Sequence, residues 1–489
     1  MDGFSHDRAA GVLLGQACGD ALGVPYEFGP ALPSDFIPQM VGGELGPFAP
    51  GEYSDDTSMA VCIAEVAATG EDLTSPDASD QVARNFLTWA ETAKDIGNQT
   101  RAVFSIARRS ADAPGLSLPQ ASQEFALTHP RSAGNGALMR TAIVALSRVD
   151  DRDATANAAR TVAATTHADP LAVDSCVLWT EAVRVAVTRG ELDLLGGLDL
   201  ITDTRREQWR GWIDDATGAD PRRFNPNGYT VTALQAAWAA ITSTPVPELD
   251  PAAGSFPAQH FQYALMNAVR AGHDTDTVAA IAGGLLGARW GWSAIPSHWS
   301  RRVHGYGGHR ARGLVTLGLL TVDRGKTDEH GWPTAPRMSS WDYRNSRDFS
   351  AVHPHDDGVI LGTYATSGHG CDAVVSLCRM GAAEVPAAGV APGDHVEIRL
   401  LDKDNETSNR NLDFVMADAG AAIKALRDEG KRVFVHCVAA EQRTPTVAIA
   451  YSRILGIGGA QAQADVKKAL PGARGYGTLW DAAVKVSPR

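Results

Sequence analysis

The stretch GHDTDTVAAIAGGLLGARWG, residues 272–291, decides the reading of most of the chain. After its acidic opening, apolar side chains recur at helical spacing with small residues between them, and no alternation of period two appears. DRAAGVLLGQACGDALG (7–23), MAVCIAEVAATG (59–70) and LAVDSCVLWTEAVRVAVTRG (171–190) read the same way, each ended by glycine. These patterns predict an all-α domain over residues 1–321. Its helices should pack closely, because Gly15, Gly19, Gly283 and Gly284 leave room for neighbouring backbones. The polar, proline-bearing DRGKTDEHGWPTAPRMSSWDYRNSRDFS (323–350) has no sustained period and predicts a linker over 322–350. Over residues 351–489 the text changes. Short β-branched runs, GVILGTY (358–364), DAVVSL (372–377), HVEIRLL (395–401) and RVFVHCV (432–438), are set among helical patterns such as FVMADAGAAIKALRDEG (414–430). That alternation predicts an α/β domain with a largely parallel sheet.

The 489 residues carry 44 Lys and Arg against 57 Asp and Glu, a net charge of −13. Nearly all of the excess lies in residues 1–350, and the remainder of the chain is close to neutral. Such a balance argues against grip on nucleic acid through phosphate neutralisation, so direct nucleic-acid binding is not expected. The six cysteines show no CxxC spacing, which argues against a disulfide framework and a structural zinc site. The N-terminal MDGFSHDRAAGVLLG lacks a basic segment followed by a long apolar run, and no stretch approaches the roughly 18 apolar residues of a membrane helix. A cytoplasmic protein with no membrane association is the expectation.

Three acidic motifs stand out in the helical part: PYEFG around Glu27, YSDDTSM with Ser54, Asp55, Asp56 and Thr57, and GHDTDTVA with Asp274, Asp276 and Thr277. Each mixes carboxylates with hydroxyls or lies beside them, an all-oxygen donor set of the kind that hard cations such as Mg²⁺ or Mn²⁺ take. Two of the motifs stand just before Ala-rich helical runs, where Asp and Thr are also ordinary N-cap residues. Residues one or two apart on a helix point in different directions, so these groups converge only from a cap or a first turn. Two such motifs far apart in one Ala-rich domain favour convergence over capping alone.

In their order and intervals, GxxxGDALGVPYEFG, YSDDTSM, GNGALMR and GHDTDTVAAIAGGLLGA resemble the ADP-ribosylglycohydrolase family, which includes the dinitrogenase reductase-activating glycohydrolases. The resemblance covers about residues 6–320. It implies an all-α domain with a binuclear Mg²⁺ or Mn²⁺ centre that cleaves the N- or O-glycosidic bond between ADP-ribose and an acceptor. It also implies metal ligation by Ser54, Asp55 and Asp56 and by Asp274, Asp276 and Thr277, with Glu27 on a loop as base or electrostatic partner. The matching loop Gly134, Asn135, Gly136 and Met139 would hold the diphosphate and the adjoining ribose, with His167 lining the same pocket. Ser54 stands where Thr is commoner and keeps the oxygen donor; His273 replaces a frequent Gly, which bears on loop shape.

The second signature is VFVHCVAAEQRTPTVAIAY (433–451), a β-branched strand, then Cys437, five residues, Arg443 and Thr444, then a helical run. A loop between a strand and a helix N-terminus points several N–H groups inward, where they bind phosphate and lower a thiol's pKa. Arg443 offers a planar fork for two phosphate oxygens. The pattern is similar to the cysteine-dependent phosphatases of the small dual-specificity type, over about residues 350–460. The resemblance implies Cys437 as nucleophile, His436 orienting the loop, Thr444 assisting thiolate departure, and Asp402 as general acid, with Asp404 as the alternative acid. Two departures bear on it: Ala440 stands where glycine is usual, and Glu441 puts an acid beside an anion site unless it points outward.

Together these readings give a two-domain hydrolase acting on an ADP-ribosylated protein or small molecule, with ADP-ribosylated nucleic acid left open as an acceptor, and on a phosphate-bearing substrate. Two alternatives stand beside it: an ADP-ribose-sensing domain that regulates a phosphatase, and a C-terminal domain that is a phosphate-binding scaffold.

Overall fold

The computed structural model describes residues 3–43, 46–405 and 407–488, and it divides into two compact units. The first comprises residues 1–245, 260–295 and 302–326; the second comprises 246–259, 296–301 and 327–489. The division therefore does not fall at one point of the chain.

The first unit is built from helices. Those that matter for the site are α1 (Gly3–Gly23), α2 (Asp55–Ala67), α3 (Arg152–Ala164), α4 (Pro170–Arg189) and α5 (Thr275–Trp290). Trp179 of α4 is fully buried and its indole N–H donates to Ile281 O of α5 at 3.2 Å. Helices α1 and α5 run antiparallel with their backbones in contact, and a glycine at every fourth residue of α1 makes this possible. A Cβ at Gly11, Gly15 or Gly19 would stand 2.4, 2.5 or 2.0 Å from the carbonyl oxygen of Gly287, Gly283 or Ala279. A Cβ at Gly23 would stand 2.4 Å from Asp276 Cα. Residues four apart share a helix face, so the four glycines form one groove into which α5 fits. Gly284 faces elsewhere, where a Cβ would meet Ala142 Cβ at 2.6 Å.

The second unit carries a small mixed sheet with helices. Its strands are β1 (Ser350–His353), β2 (Asp356–Thr363), β3 (Ala373–Ser376), β4 (His395–Glu397) and β5 (Val433–Cys437), in the order β1-β2-β5-β3-β4. β1 and β2 form an antiparallel edge hairpin, and the other three pairings are parallel. Helices α6 (Leu412–Asp428), α7 (Arg443–Ile454) and α8 (Thr478–Val484) follow. Much of the segment 322–350 has packing contacts of its own within this unit. Met338 is buried, the Arg379 guanidinium lies 4.3 Å from the Trp332 ring centroid, and Tyr343 Oη donates to Arg379 O at 2.8 Å. Apolar and aromatic residues scattered without period can still pack, which a periodicity reading does not register. Among the described residues no helix is long and apolar enough to cross a membrane.

Candidate functional site

The glycine groove of α1 determines where its buried Asp20 goes. Asp20 follows Gly19, is fully buried, and lies where α1 meets the first turn of α5. Its carboxylate accepts the Ser54 N–H at 2.8 Å and the Thr57 N–H at 2.9 Å, so it caps α2 from another helix. That leaves the motif's own acids unneeded for capping. Ser54 is the N-cap residue but makes no cap bond; its hydroxyl donates instead to Asp56 Oδ2 at 2.8 Å. At α5 the N-cap residue Asp274 makes no cap bond either, and its Oδ2 accepts from Asn135 Nδ2 at 2.7 Å.

The freed carboxylates converge. Oxygens of Asp20, Asp56 and Asp276 lie within 4.8 Å of one another, as do those of Glu27, Asp274 and Asp276. Asp276 belongs to both groups. Among the described residues no Lys, Arg or His forms an ion pair with any of these acids or with Asp55. Burial first, and the neighbouring carboxylates next, push Glu27 and Asp55 up to about 8. Asp20 rises to about 6 by burial, against the hydrogen bonds that hold it down. Asp56 and Asp276 are driven well above the usual carboxylate range by burial and mutual repulsion, and Asp274 is raised by burial. Asp56 Oδ1 and Thr57 Oγ1 are buried with no hydrogen-bond partner. Unpaired buried acids beside orphaned oxygens are an unfavourable arrangement that divalent cations relieve, and the donor set is all oxygen. The residues present fit a pair of hard cations.

Three loops complete the site. Glu27 is held through its neighbour: Phe28 N–H donates to His273 O at 2.6 Å and His273 N–H to Gly29 O at 2.8 Å. Both Phe28 and His273 have left-handed backbones, φ +58° and +62°. This conformation disfavours residues with a Cβ, so both positions are ones that glycine would occupy without strain. Asn135 bonds Asn227 O as well as Asp274, and Asn227 Oδ1 accepts the Asp274 N–H at 3.1 Å, so the GNGALMR loop is tied to the DTDT loop. Gly134 and Gly136 lie against the His167 ring, where a Cβ at Gly136 would stand 2.9 Å from Cε1. Met139 and Thr277 are both buried.

Asp20, Asn227 and Asp95 join the site although no sequence motif points to them. Asp95 is half-buried and its charge raises Glu27, Asp55 and Asp274. An acid at the edge of a four-residue glycine repeat was the available signal for Asp20; Asp95, in an irregular loop, has none.

In the second unit Cys437 ends β5 and Arg443 opens α7. Among the described residues no acceptor pairs with the backbone N–H groups of residues 439–443. Ala440 is left-handed at φ +54°, and Glu441 is exposed. Arg443 is buried; Nη1 donates to Leu377 O at 2.8 Å, Nη2 meets Asp402 Oδ2 at 3.3 Å, and Nε has no partner. His436 Nε2 bonds Ser376 Oγ at 2.7 Å, and burial lowers the ring to about 4. The Thr444 hydroxyl donates to Gly362 O at 3.4 Å, and Cys437 is 1% exposed. The Asp404 carboxylate accepts from the Thr478 N–H at 2.6 Å and so caps α8, which leaves Asp402 as the acid beside the loop.

The chain matches the ADP-ribosylglycohydrolase family over residues 1–328. It is 29% identical over 303 residues to the ADP-ribosylarginine hydrolase Tri1 of Serratia proteamaculans, covering 60% of this chain and 75% of that one. It is 31% identical over 310 residues to the protein of the same name from Pseudomonas putida, covering 61% and 74%. With the ADP-ribosyl-[dinitrogen reductase] glycohydrolase of Rhodospirillum rubrum it shares 28% identity over 313 residues, covering 61% and 90%. The match spans the four motifs and both carboxylate groups, and by it the chain belongs to the ADP-ribosylglycohydrolase family of dimetal-dependent hydrolases.

Proposed function

We propose that the first unit hydrolyses the glycosidic bond between ADP-ribose and an arginine side chain, in the cytoplasm, at a centre of two Mg²⁺ or Mn²⁺ ions. The observation that carries this reading is the pair of carboxylate groups sharing Asp276 beside the unpartnered Asp56 Oδ1 and Thr57 Oγ1. Ser54, Asp55, Asp56, Asp274, Asp276 and Thr277 would hold the cations, with Asp20 beside them. Bound there, the ions supply positive charge that aligns ribose hydroxyls and polarises water.

The chain's own residues do the rest. Glu27, with its high proton affinity, takes a proton from water as the water oxygen bonds to the anomeric carbon and the bond to the acceptor breaks. The same proton can pass to the departing nitrogen. Gly134 and Gly136 would offer their backbone N–H groups to the diphosphate without a side chain in the way, while the Asn135 N–H is taken by Gly228 O. Asp95, Glu27 and Asp55 make an acidic surround suited to a guanidinium acceptor, and two of the relatives are named for ADP-ribosylarginine. Incubation with ADP-ribosylated arginine, serine and DNA, with Mg²⁺ or with EDTA, tests this through release of free ADP-ribose. Release from arginine alone, and only with the cation, is expected; no release from any substrate would move the first unit to an ADP-ribose sensor.

A second activity is proposed for the other unit: phosphomonoester hydrolysis at Cys437. The run of unpaired N–H groups at residues 439–443 supports it, together with the free Nε of Arg443 and the outward position of Glu441. The Cys437 thiolate would attack phosphorus as the ester oxygen leaves with a proton from Asp402. Water would then cleave the phosphocysteine, with Thr444 and His436 supporting the sulfur. Hydrolysis of para-nitrophenyl phosphate that Cys437→Ser abolishes is the expected result. Binding of phosphate with no turnover would make the unit a scaffold.

A further inference from the structure

Arg140 is fully buried, yet among the described residues no carboxylate pairs with it. Its guanidinium lies over the Phe86 ring, 4.6 Å from the centroid, and its Nη2 donates to Val162 O at 3.3 Å and to Thr166 Oγ1 at 2.7 Å. An uncompensated buried charge is expensive, so its location calls for a reason.

Donor and acceptor counting supplies one. Arginine has donors only, so the Thr166 hydroxyl oxygen accepts from Arg140 and its proton must go elsewhere. The available acceptor is His167 Nδ1, 2.8 Å away. With Nδ1 accepting, a neutral imidazole carries its proton on Nε2. Burial and the Arg140 charge keep the ring neutral, lowering it to about 3. Nε2 faces the glycine loop: a Cβ at Gly136 would stand 3.1 Å from it and one at Gly134 3.4 Å. Among the described residues Nε2 meets no acceptor, although His167 is only 1% exposed.

We propose that Arg140 and Thr166 are positioning residues that hold His167 as a neutral donor, with its Nε2–H directed across the Gly134–Gly136 loop at an oxygen of bound ADP-ribose. The identity of that ligand rests on the reading under Proposed function; the relay itself rests on the hydrogen bonds. The other tautomer would put two donors, Arg140 Nη2–H and His167 Nδ1–H, on the Thr166 oxygen and leave the hydroxyl proton without this acceptor, so the arrangement selects one ring state.

The test reads the ring directly. In the full chain with ¹⁵N-labelled histidine, and His167→Gln to identify the resonances, His167 should show a protonated Nε2 and an unprotonated Nδ1, unchanged between about pH 5 and 8. Thr166→Val removes the hydroxyl; the two nitrogen shifts should move toward a tautomer average, and the Kd for ADP-ribose with Mg²⁺ should rise about tenfold. Thr166→Ser should restore both. Protonated Nδ1 in the unmodified protein would overturn the proposal. So would a folded Thr166→Val protein with unaltered shifts and affinity, or a folded Thr166→Ser protein that restores neither. Expected ring signals in a protein that binds no ADP-ribose would instead defeat the functional reading and leave the relay standing.

Discussion

Asp276 contributes to both carboxylate groups, so replacing it should have effects of opposite sign in the two cation states. At a pH high enough to ionise the set, Asp276→Asn removes one negative charge from buried, mutually repelling carboxylates. In EDTA its Tm should rise by roughly a few degrees. With Mg²⁺ the parent protein should gain about 2.7 kcal/mol at a concentration a hundredfold above Kd, while the variant gains little and releases no ADP-ribose. Differential scanning calorimetry in both conditions checks the pair of signs. In the other unit, Ala440 adopts a left-handed backbone at φ +54°, and Ala440→Gly should stabilise the protein by about 1 kcal/mol in urea unfolding. At this scale much of the site can be read from the text, because YSDDTSM and DTDT carry several donors in a few residues. Asp20 escapes such reading, since its place in the site depends on how two helices pack and its capping partners are distant in sequence.

For the helices, the consequential feature is the glycine groove of α1. Gly19→Ala would put a methyl group 2.0 Å from Ala279 O, which no rotamer change relieves because the obstacle is backbone. A loss of about 1–3 kcal/mol is expected, with weaker cation binding, because Asp20 moves with the helix. Gly211 is the control: it lies inside the helix Asp203–Ala216 with nothing within 4 Å of an added Cβ. Gly211→Ala should stabilise by about 0.5–1 kcal/mol and leave cation binding unchanged. Denaturant unfolding and isothermal titration with Mg²⁺ read both. The long Ala- and Leu-rich helices announce themselves by period, and four of the five strands by short β-branched runs. β1, Ser350–His353, is an edge strand one register away from a polar segment and offers four residues with little pattern, so periodicity gives no hold on it.

For the whole molecule, the raised carboxylates set the pH response. The folded protein holds protons on Asp20 up to about pH 6 and on Glu27 and Asp55 up to about 8, whereas an unfolded chain releases them near pH 4. Between those limits the folded state binds more protons, so stability in EDTA should fall as pH rises from about 4 to about 8. Mg²⁺ displaces those protons, and the Tm gain it gives should grow over the same interval. Melting curves across that range, with and without the cation, would show the trend; a gain that shrank with pH would refute it. The two proposed activities use different acids and nucleophiles. Cys437→Ser should leave ADP-ribose release at the parent rate, and Asp276→Asn should leave hydrolysis of para-nitrophenyl phosphate unchanged.

The two units are interleaved along the chain, and this bears on any attempt to obtain them separately. Residues 246–259 and 296–301 lie within the stretch that matches the family, yet they belong to the second unit. There Phe256 meets Phe414 edge-on at 6.0 Å, Ser297 N–H donates to Asp418 Oδ2 at 3.0 Å, and Arg301 pairs with Asp394 at 3.1 Å and Glu429 at 2.8 Å. A gene cut at residue 328 would strand an aromatic ring and a cation from their partners. The fragment's solubility and activity would then report on the scissors as much as on the enzyme.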